Sequence, residues 1–301
     1  MNKFVVTILL FLVAVLIATF IGPATLSSEV IQLRLSRVIL GIFAGGILGF
    51  CGGILQGLFG NPLVEPYTLG SASGAALGGS VGILLVGTVS PVFAFLGSLG
   101  VGFFVYTIAK IEGGLLRDRL ILAGVIMSFL CSSLVMIIMV AGGRELYEIL
   151  YLLMGYLGVI ISPANRILII VLIVISIGLV IFLYRYHREL DIISQGLETA
   201  AGLGIDIQKF SIVVFLTTSL LIGLVVSIVG AIGFVGLIIP HISKLLFGPR
   251  HFNNLPAAFI LGATFLLLAD TLSRTITVYE LPVGVVTSLV GVPFFIYLYK
   301  R

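Results

Sequence analysis

Long apolar runs separated by short polar breaks dominate the pattern of this chain. A helix needs about 20 apolar residues to cross the ~30 Å hydrocarbon core of a membrane. About ten runs serve this purpose, at about 4–21, 38–59, 67–87, 91–109, 120–141, 166–184, 210–229, 230–244, 256–272 and 283–299. A further run, 147–161, is too short to cross and predicts a half-helix against the outer membrane surface. The pattern therefore predicts an all-α integral membrane protein with about ten transmembrane helices.

Glycine recurs at every fourth residue in two of these runs. In water each interior glycine costs a helix about 1 kcal/mol relative to alanine, whereas lipid offers the backbone no other hydrogen-bond partner. Two interpretations remain open: close packing of helices, or a face that lines a passage or a subunit interface. The first ladder is Gly41, Gly45, Gly49, Gly53 and Gly57, and the second is Gly70, Gly74, Gly78 and Gly82. The candidate residues for either role are Gly45, Gly49, Gly53, Gln56, Asn61, Pro62 and Gly74.

Two breaks between spans share a form. Each has a span, then G-x-x-G, then polar residues and a proline, at Gln56–Pro66 and at Gly230–His241. With ten spans the helices before these breaks run in opposite directions, as in the inverted repeats that transporters place around a central pathway. The shared positions are few, so a chance resemblance between glycine-rich segments is an equally open interpretation.

The composition excludes most soluble classes of protein. The chain is 60% apolar and 9% charged, with a mean hydropathy of +1.31, whereas a soluble domain is about 25% charged. Ten spans use nearly the whole length, so we expect one transmembrane domain, 1–301, without a fused soluble enzyme. Cys51 and Cys131 lie inside apolar runs, which indicates neither a disulfide framework nor a metal cluster.

The basic residues predict the orientation, because they concentrate in cytoplasmic loops. With the N-terminus inside, 11 of the 16 Lys and Arg residues fall inside and 5 fall outside. We therefore expect both termini, and the long polar segment at about 185–210, to be cytoplasmic. The net charge of +4 reflects this asymmetry and does not indicate a nucleic-acid partner.

Few residues suggest catalysis. The three histidines are far apart, and the chain has neither H-E-x-x-H nor a phosphate-binding G-x-x-x-x-G-K-[ST]. The run at 70–74 has Ala72 where a nucleophile elbow needs serine, so a hydrolase is not favoured. Asp270 is the one acid inside a strongly apolar run, which makes it a functional candidate. Arg274 lies four residues further on, so a local ion pair is the competing interpretation.

Several segments match one family in order along almost the whole chain. They are RLSR at 34–37, LQGLFGNPLVEP at 55–66, LG at 69–70 with SGA at 73–75, LAG at 122–124, GLETAAGLG at 196–204, GFVGLIIPH at 233–241, AD at 269–270 and ELPVG at 280–284. These segments resemble the FecCD family of ABC transporter permeases, which includes vitamin B12, haem and ferric-siderophore importers. The chain departs from the family pattern at Ser36 and Gly60, and it contains no Trp.

The resemblance implies a ten-span permease subunit like that of the vitamin B12 importer, a type II ABC importer with an inverted internal repeat. It implies a prokaryotic cell membrane and a dimer, with a second copy or a related permease, around a central pathway. It also implies an extracytoplasmic binding protein and two ATP-binding subunits. ATP and Mg would be bound by those subunits, with no cofactor and no metal on this chain. The cargo would be an iron(III) chelate, haem or cobalamin.

The resemblance also implies three sites, carried over residue by residue. Docking of the binding protein falls on Arg34, Arg37 and Arg274. Coupling to the ATPase falls on Gly196, Glu198, Ala200, Leu203 and Gly204. An inner constriction falls on Arg117 and Asp118. A carrier driven by an ion gradient, without an ATPase, is the alternative function that the sequence leaves open.

Overall fold

Helices form nearly all of the regular structure in the residues that the computed structural model describes, which are 3–23, 25, 27–87, 90–111, 114–115, 117–141, 146–277 and 279–299. Their bounds are α1 Lys3–Phe20, α2 Ser28–Phe59, α3 Ser71–Val86, α4 Pro91–Ala109, α5 Arg117–Ala141, α6 Leu146–Met154, α7 Pro163–Tyr184, α8 His187–Ser194, α9 Leu197–Gly202, α10 Ile207–Val229, α11 Val235–Phe247, α12 His251–Ser273 and α13 Val283–Tyr299. A single 3-10 turn, Pro66–Leu69, precedes α3. Two antiparallel strands, β1 Lys110–Ile111 and β2 Gly114–Leu115, lie between α4 and α5.

Seven of the described helices are long and apolar enough to cross a membrane: α1, α2, α4, α5, α7, α10 and α12. Helices α3, α11 and α13 are also apolar but shorter. These ten helices correspond to the ten predicted runs. The prediction of an all-α fold is confirmed.

The first glycine ladder packs α2 against α12. A Cβ at Gly45 would collide with the carbonyl oxygen of Gly262, and one at Gly49 would collide with that of Ala258. Gly53 faces Leu255, and Gly57 faces the ring of His251. Small residues let two helix backbones approach closely. These glycines therefore serve helix packing, and α2 and α12 run antiparallel along most of their length.

The second ladder packs α3 against α4 in the same way. A Cβ at Gly74 would meet the carbonyl oxygen of Gly97, and a Cβ at Gly97 would meet that of Gly74. A Cβ at Gly78 would likewise collide with the carbonyl oxygen of Phe93. The two helices consequently form a tight hairpin.

The two breaks with a shared form lie against each other. Glu65 Oε1 accepts a hydrogen bond from the backbone N–H of Phe234, and the Tyr67 hydroxyl accepts one from Ile232, both at 2.5 Å. Gln56 is buried, and its Nε2 donates to the carbonyl oxygen of Leu237 at 3.1 Å. The bonds to Ile232 and Phe234 satisfy backbone N–H groups of the irregular segment that precedes α11. Helix α11 therefore begins at Val235, after an irregular segment.

The half-helix predicted at 147–161 is wrong in length, because α6 ends at Met154. Gly155 has a left-handed φ of 74°, which glycine adopts without steric cost. Beyond it the backbone bonds to other segments: Tyr156 N donates to Val229 O at 2.8 Å, and Gly155 O accepts from Val283 N at 3.0 Å. Tertiary hydrogen bonds therefore replace the helix from Gly155 onward.

Candidate functional site

Three arginines meet at the end of the bundle where α1 ends and α2 begins. Arg34 Nη1 donates to Phe20 O at 3.0 Å and to Thr19 O at 3.3 Å, and Arg274 donates to Ala18 O. The last carbonyls of a helix have no partner within it, and positive charge is favourable there. Arg34 and Arg274 thus cap the C-terminus of α1, and both are only 4% exposed.

Arg37, the third arginine, is held by two carboxylates of different exposure. Its Nη1 lies 3.3 Å from Asp270 Oδ1, and its Nη2 lies 2.5 Å from Glu280 Oε2. The Asp270 side chain is 4% exposed, whereas that of Glu280 is 40% exposed. Tyr156 accepts a hydrogen bond from Arg37 at 3.1 Å and donates one to Glu280 at 2.9 Å. We call Arg34, Arg37, Asp270, Arg274 and Glu280 the arginine cluster.

The electrostatics of Glu280 and Tyr156 follow from this arrangement. Burial alone would raise the pKa of Glu280, but the hydrogen bond and charge of Arg37, with the Tyr156 hydroxyl, lower it below its ordinary value. Burial raises the pKa of Tyr156 to about 12, against the opposing charge of Arg37. Glu280 is therefore ionised and Tyr156 neutral at pH 7.

The structure brings the three predicted docking arginines together, but it turns their guanidinium groups inward. The predicted pair between Asp270 and Arg274 is confirmed, with 3.5 Å between Oδ2 and Nε. The sequence did not indicate that Arg37, 233 residues away, also binds Asp270. It also missed the roles of Glu280 and Tyr156, although Glu280 stands in a matched family segment.

At the opposite end of α2 and α12, a buried histidine forms a second junction. Asp191 Oδ1 on α8 accepts a hydrogen bond from the backbone N–H of His251 at 2.8 Å and lies 2.6 Å from its Nδ1. His251 is the first residue of α12, and Arg250 at the N-cap provides no side-chain cap. Asp191 therefore caps α12 from another helix. We call Asp191, His251 and Gly57 the α8 junction.

The predicted coupling residues follow α8 directly. Gly196 has a left-handed φ of 139°, and it leads into α9, where Ala200 is fully buried. Glu198 and Leu203 are exposed, and Gly204 has a φ of 82°. Asp206 then caps α10 through Lys209 N at 3.1 Å, and its pKa is lowered by the hydrogen bonds from Lys209. A short helix thus presents its exposed side chains beside the α8 junction.

The remaining predicted residues lie elsewhere. Asp118 is exposed in the first turn of α5, and the side chain of Arg117 lies outside the described residues. Asn61 and Pro62 are exposed after α2, and Asn61 Oδ1 accepts from Leu63 N at 2.9 Å. Among the described residues, no group of three His, Cys, Asp or Glu side chains could hold a metal ion.

Known proteins with similar sequences are named as transport components. The sequence profile of the FecCD transport family matches residues 3–301. The chain is 38% identical, over 92% of its length and 75% of the other protein, to the cobalamin import system permease protein BtuC of Halobacterium salinarum. It is 35% identical, over 90% of its length and 83% of the other protein, to the hemin transport system permease protein HmuU of Yersinia pestis.

A solved structure has the same fold. It is described as an inward-facing conformation of a metal-chelate type ABC transporter, and it superposes on this chain with a TM-score of 0.85 at 31% identity. The match covers 100% of this chain and 99% of the other.

Proposed function

The chain belongs to the FecCD transport family, and we propose that it is the permease subunit of an ATP-driven importer for an iron(III) chelate, haem or cobalamin. Two partner subunits would bind and hydrolyse ATP with Mg²⁺, and an extracytoplasmic protein would deliver the cargo. Two permease copies, or this chain and a related one, would enclose the pathway. In this proposal the chain itself performs no covalent chemistry.

The observation that carries the proposal is the separation of two polar sites by one pair of helices. The arginine cluster lies at one end of α2 and α12, and the α8 junction with α9 lies at the other. Lys3 lies at the junction end as well, since its Nζ donates to Leu246 O at 2.7 Å. The excess of basic residues predicts that this end is cytoplasmic. The arginine cluster would then face the binding protein.

The charges of the arginine cluster suggest how the binding protein would dock there. Arg37 already binds two carboxylates within the cluster, so an acidic partner surface would match its charge. Glu280 is the most exposed charged side chain among its described ion pairs. We propose that a carboxylate of the binding protein replaces Glu280 at Arg37 during docking, while Arg34 and Arg274 remain as caps of α1.

Reconstitution tests this function. The chain would be placed in liposomes with a candidate ATPase subunit and a candidate binding protein from the same organism, and ATP hydrolysis would be measured with and without the binding protein. We expect stimulation by the binding protein, and weaker stimulation for Arg37→Glu. The matched control is Glu29→Gln, a change at an exposed residue in the first turn of α2, which should retain full stimulation.

Two results would overturn the proposal. One is an ATPase rate that the binding protein leaves unchanged. The other is cargo uptake that needs no ATPase and stops when the proton or sodium gradient is collapsed, since that result identifies an ion-driven carrier.

A further inference from the structure

Helices α2 and α12 are joined at both ends as well as along their length. Gly45 and Gly49 leave no room for a methyl group against α12. At one end Arg37 of α2 binds Asp270 of α12, and at the other the ring of His251 covers Gly57. Close-packed interiors transmit displacement because they contain few voids. The two helices should therefore move as one body.

Asp191 attaches this helix pair to the segment that leads into α9. One carboxylate oxygen binds both the backbone N–H and the ring Nδ1 of His251. The His251 side chain is 2% exposed, whereas that of Asp191 is 29% exposed, so the ring side of this contact is shielded from water. The contact between Nδ1 and the Asp191 carboxylate orients the ring over Gly57. A displacement of α8 would thus be applied directly to the first turn of α12.

We propose that Asp191 is a positioning residue that transmits movement of α8 and α9, through His251, to the α2–α12 pair and so to the arginine cluster. This inference rests on the proposed function, in which a partner ATPase moves α9. Coupling between distant sites is carried by packed side chains and hydrogen bonds on rigid elements. The described path consists of Asp191, His251, the glycine ladder and the Arg37–Asp270 ion pair.

A second contact on the same turn of α12 provides the matched control. The Tyr184 hydroxyl, at the end of α7, donates to Phe252 O at 3.1 Å. Tyr184→Phe removes a hydrogen bond from this turn but leaves the link to α8 intact. If Asp191 only stabilised the turn, the two substitutions would have similar effects.

The experiment measures an ATP response at the far end of α2. Gln32, which is exposed near the arginine cluster, is changed to cysteine, and its alkylation by a membrane-impermeant maleimide is timed in the reconstituted complex with and without ATP. The native cysteines Cys51 and Cys131 are buried. We expect ATP to change the alkylation rate, and we expect that dependence to be lost in Asp191→Ala. It should be retained in Asp191→Asn and in Tyr184→Phe.

Hydrogen exchange tests the contact itself without any partner. Removing an N-cap should speed exchange at the backbone amides of the first turn of α12 in Asp191→Ala by about fivefold, equivalent to ~1 kcal/mol. Asp191→Asn keeps an acceptor oxygen and should exchange like the wild type. Should Asp191→Ala fail to assemble, Asp191→Glu displaces the carboxylate by one methylene and takes its place in both measurements.

The outcomes separate this inference from the proposed function. A wild-type complex with no response to ATP would contradict the proposed function. A wild-type response that persists in Asp191→Ala would overturn the inference alone, as would an equal loss in Tyr184→Phe.

Discussion

The arginine cluster and the α8 junction hold the same two helices by different chemistry. At the arginine cluster, ion pairs join Arg37, Asp270 and Arg274, and one acid, Glu280, reaches solvent. At the α8 junction, a carboxylate caps a helix and orients a buried imidazole over a glycine. Under the proposed function, a partner's carboxylate would replace Glu280 at the arginine cluster. The junction end is built so that contact with α8 is kept.

The largest loss of stability is expected from removing Asp270, the buried acid of the arginine cluster. Asp270→Ala leaves Arg37 and Arg274 without their shared carboxylate, and breaking a buried ion pair in this way costs about 3–5 kcal/mol. Thermal unfolding of the purified chain in bicelles would measure this loss. Glu29→Ala, at an exposed position of the same end, should change stability by about 0.5 kcal/mol or less. Equal losses from the two variants would show that the cluster is not a structural ion pair.

The next largest loss of stability is expected from adding a methyl group at Gly57, in the α8 junction. A Cβ at Gly57 would run into the ring of His251, and such overpacking costs about 1–3 kcal/mol. Gly57→Ala should therefore lower the unfolding temperature. In Gly100→Ala on α4, the new methyl group meets no atom within 4 Å, so the better helix propensity of alanine should leave stability unchanged or slightly raised. Because both variants gain the same helix propensity, a Gly57→Ala variant as stable as Gly100→Ala would contradict the close contact between Gly57 and His251.

Loss of the N-cap that Asp191 of α8 provides should reduce stability less than Asp270→Ala or Gly57→Ala. Asp191→Ala removes the N-cap of α12, a loss of about 1 kcal/mol. Asp191→Asn retains the acceptor and should recover most of that stability in the same unfolding assay. A loss as large as that of Asp270→Ala would mean that the arginine cluster and the α8 junction contribute equally to stability.

The sequence predicted what depends on local pattern, and it missed what depends on distant partners. Apolar run length predicted the ten apolar helices, and the spacing of four residues between Asp270 and Arg274 predicted their ion pair. Nothing local links Arg37 to Asp270 or Asp191 to His251, because these contacts join residues that are 233 and 60 positions apart.

Contacts between distant residues also explain why α6 ends earlier than the sequence predicted. The apolar pattern continues past Met154, but the backbone of residues 155–156 bonds to Val229 and Val283 instead of extending the helix. Glycine spacing likewise indicated close packing without identifying the partner of each ladder. Hydrophobic pattern therefore determines which segments are helical, whereas long-range hydrogen bonds determine where some of them end.

Glu280→Gln should have the smallest effect on stability of these substitutions, and it should change the affinity for the binding protein. The pKa of Glu280 is lowered in the folded chain, so its contribution to stability is fully present above the ordinary glutamate pKa of about 4.3 and is lost as the pH falls through the lower folded value. Because the side chain is 40% exposed, we expect only about 0.2–1 kcal/mol at pH 7. Glu280→Gln should remove this acid-dependent part of the stability curve.

Glu280→Gln should also free Arg37, so the binding protein should bind more tightly, by up to about fivefold for ~1 kcal/mol. Weaker binding by Glu280→Gln, measured by surface plasmon resonance with Glu29→Gln as the control, would show that Glu280 itself contacts the partner and is not displaced by it.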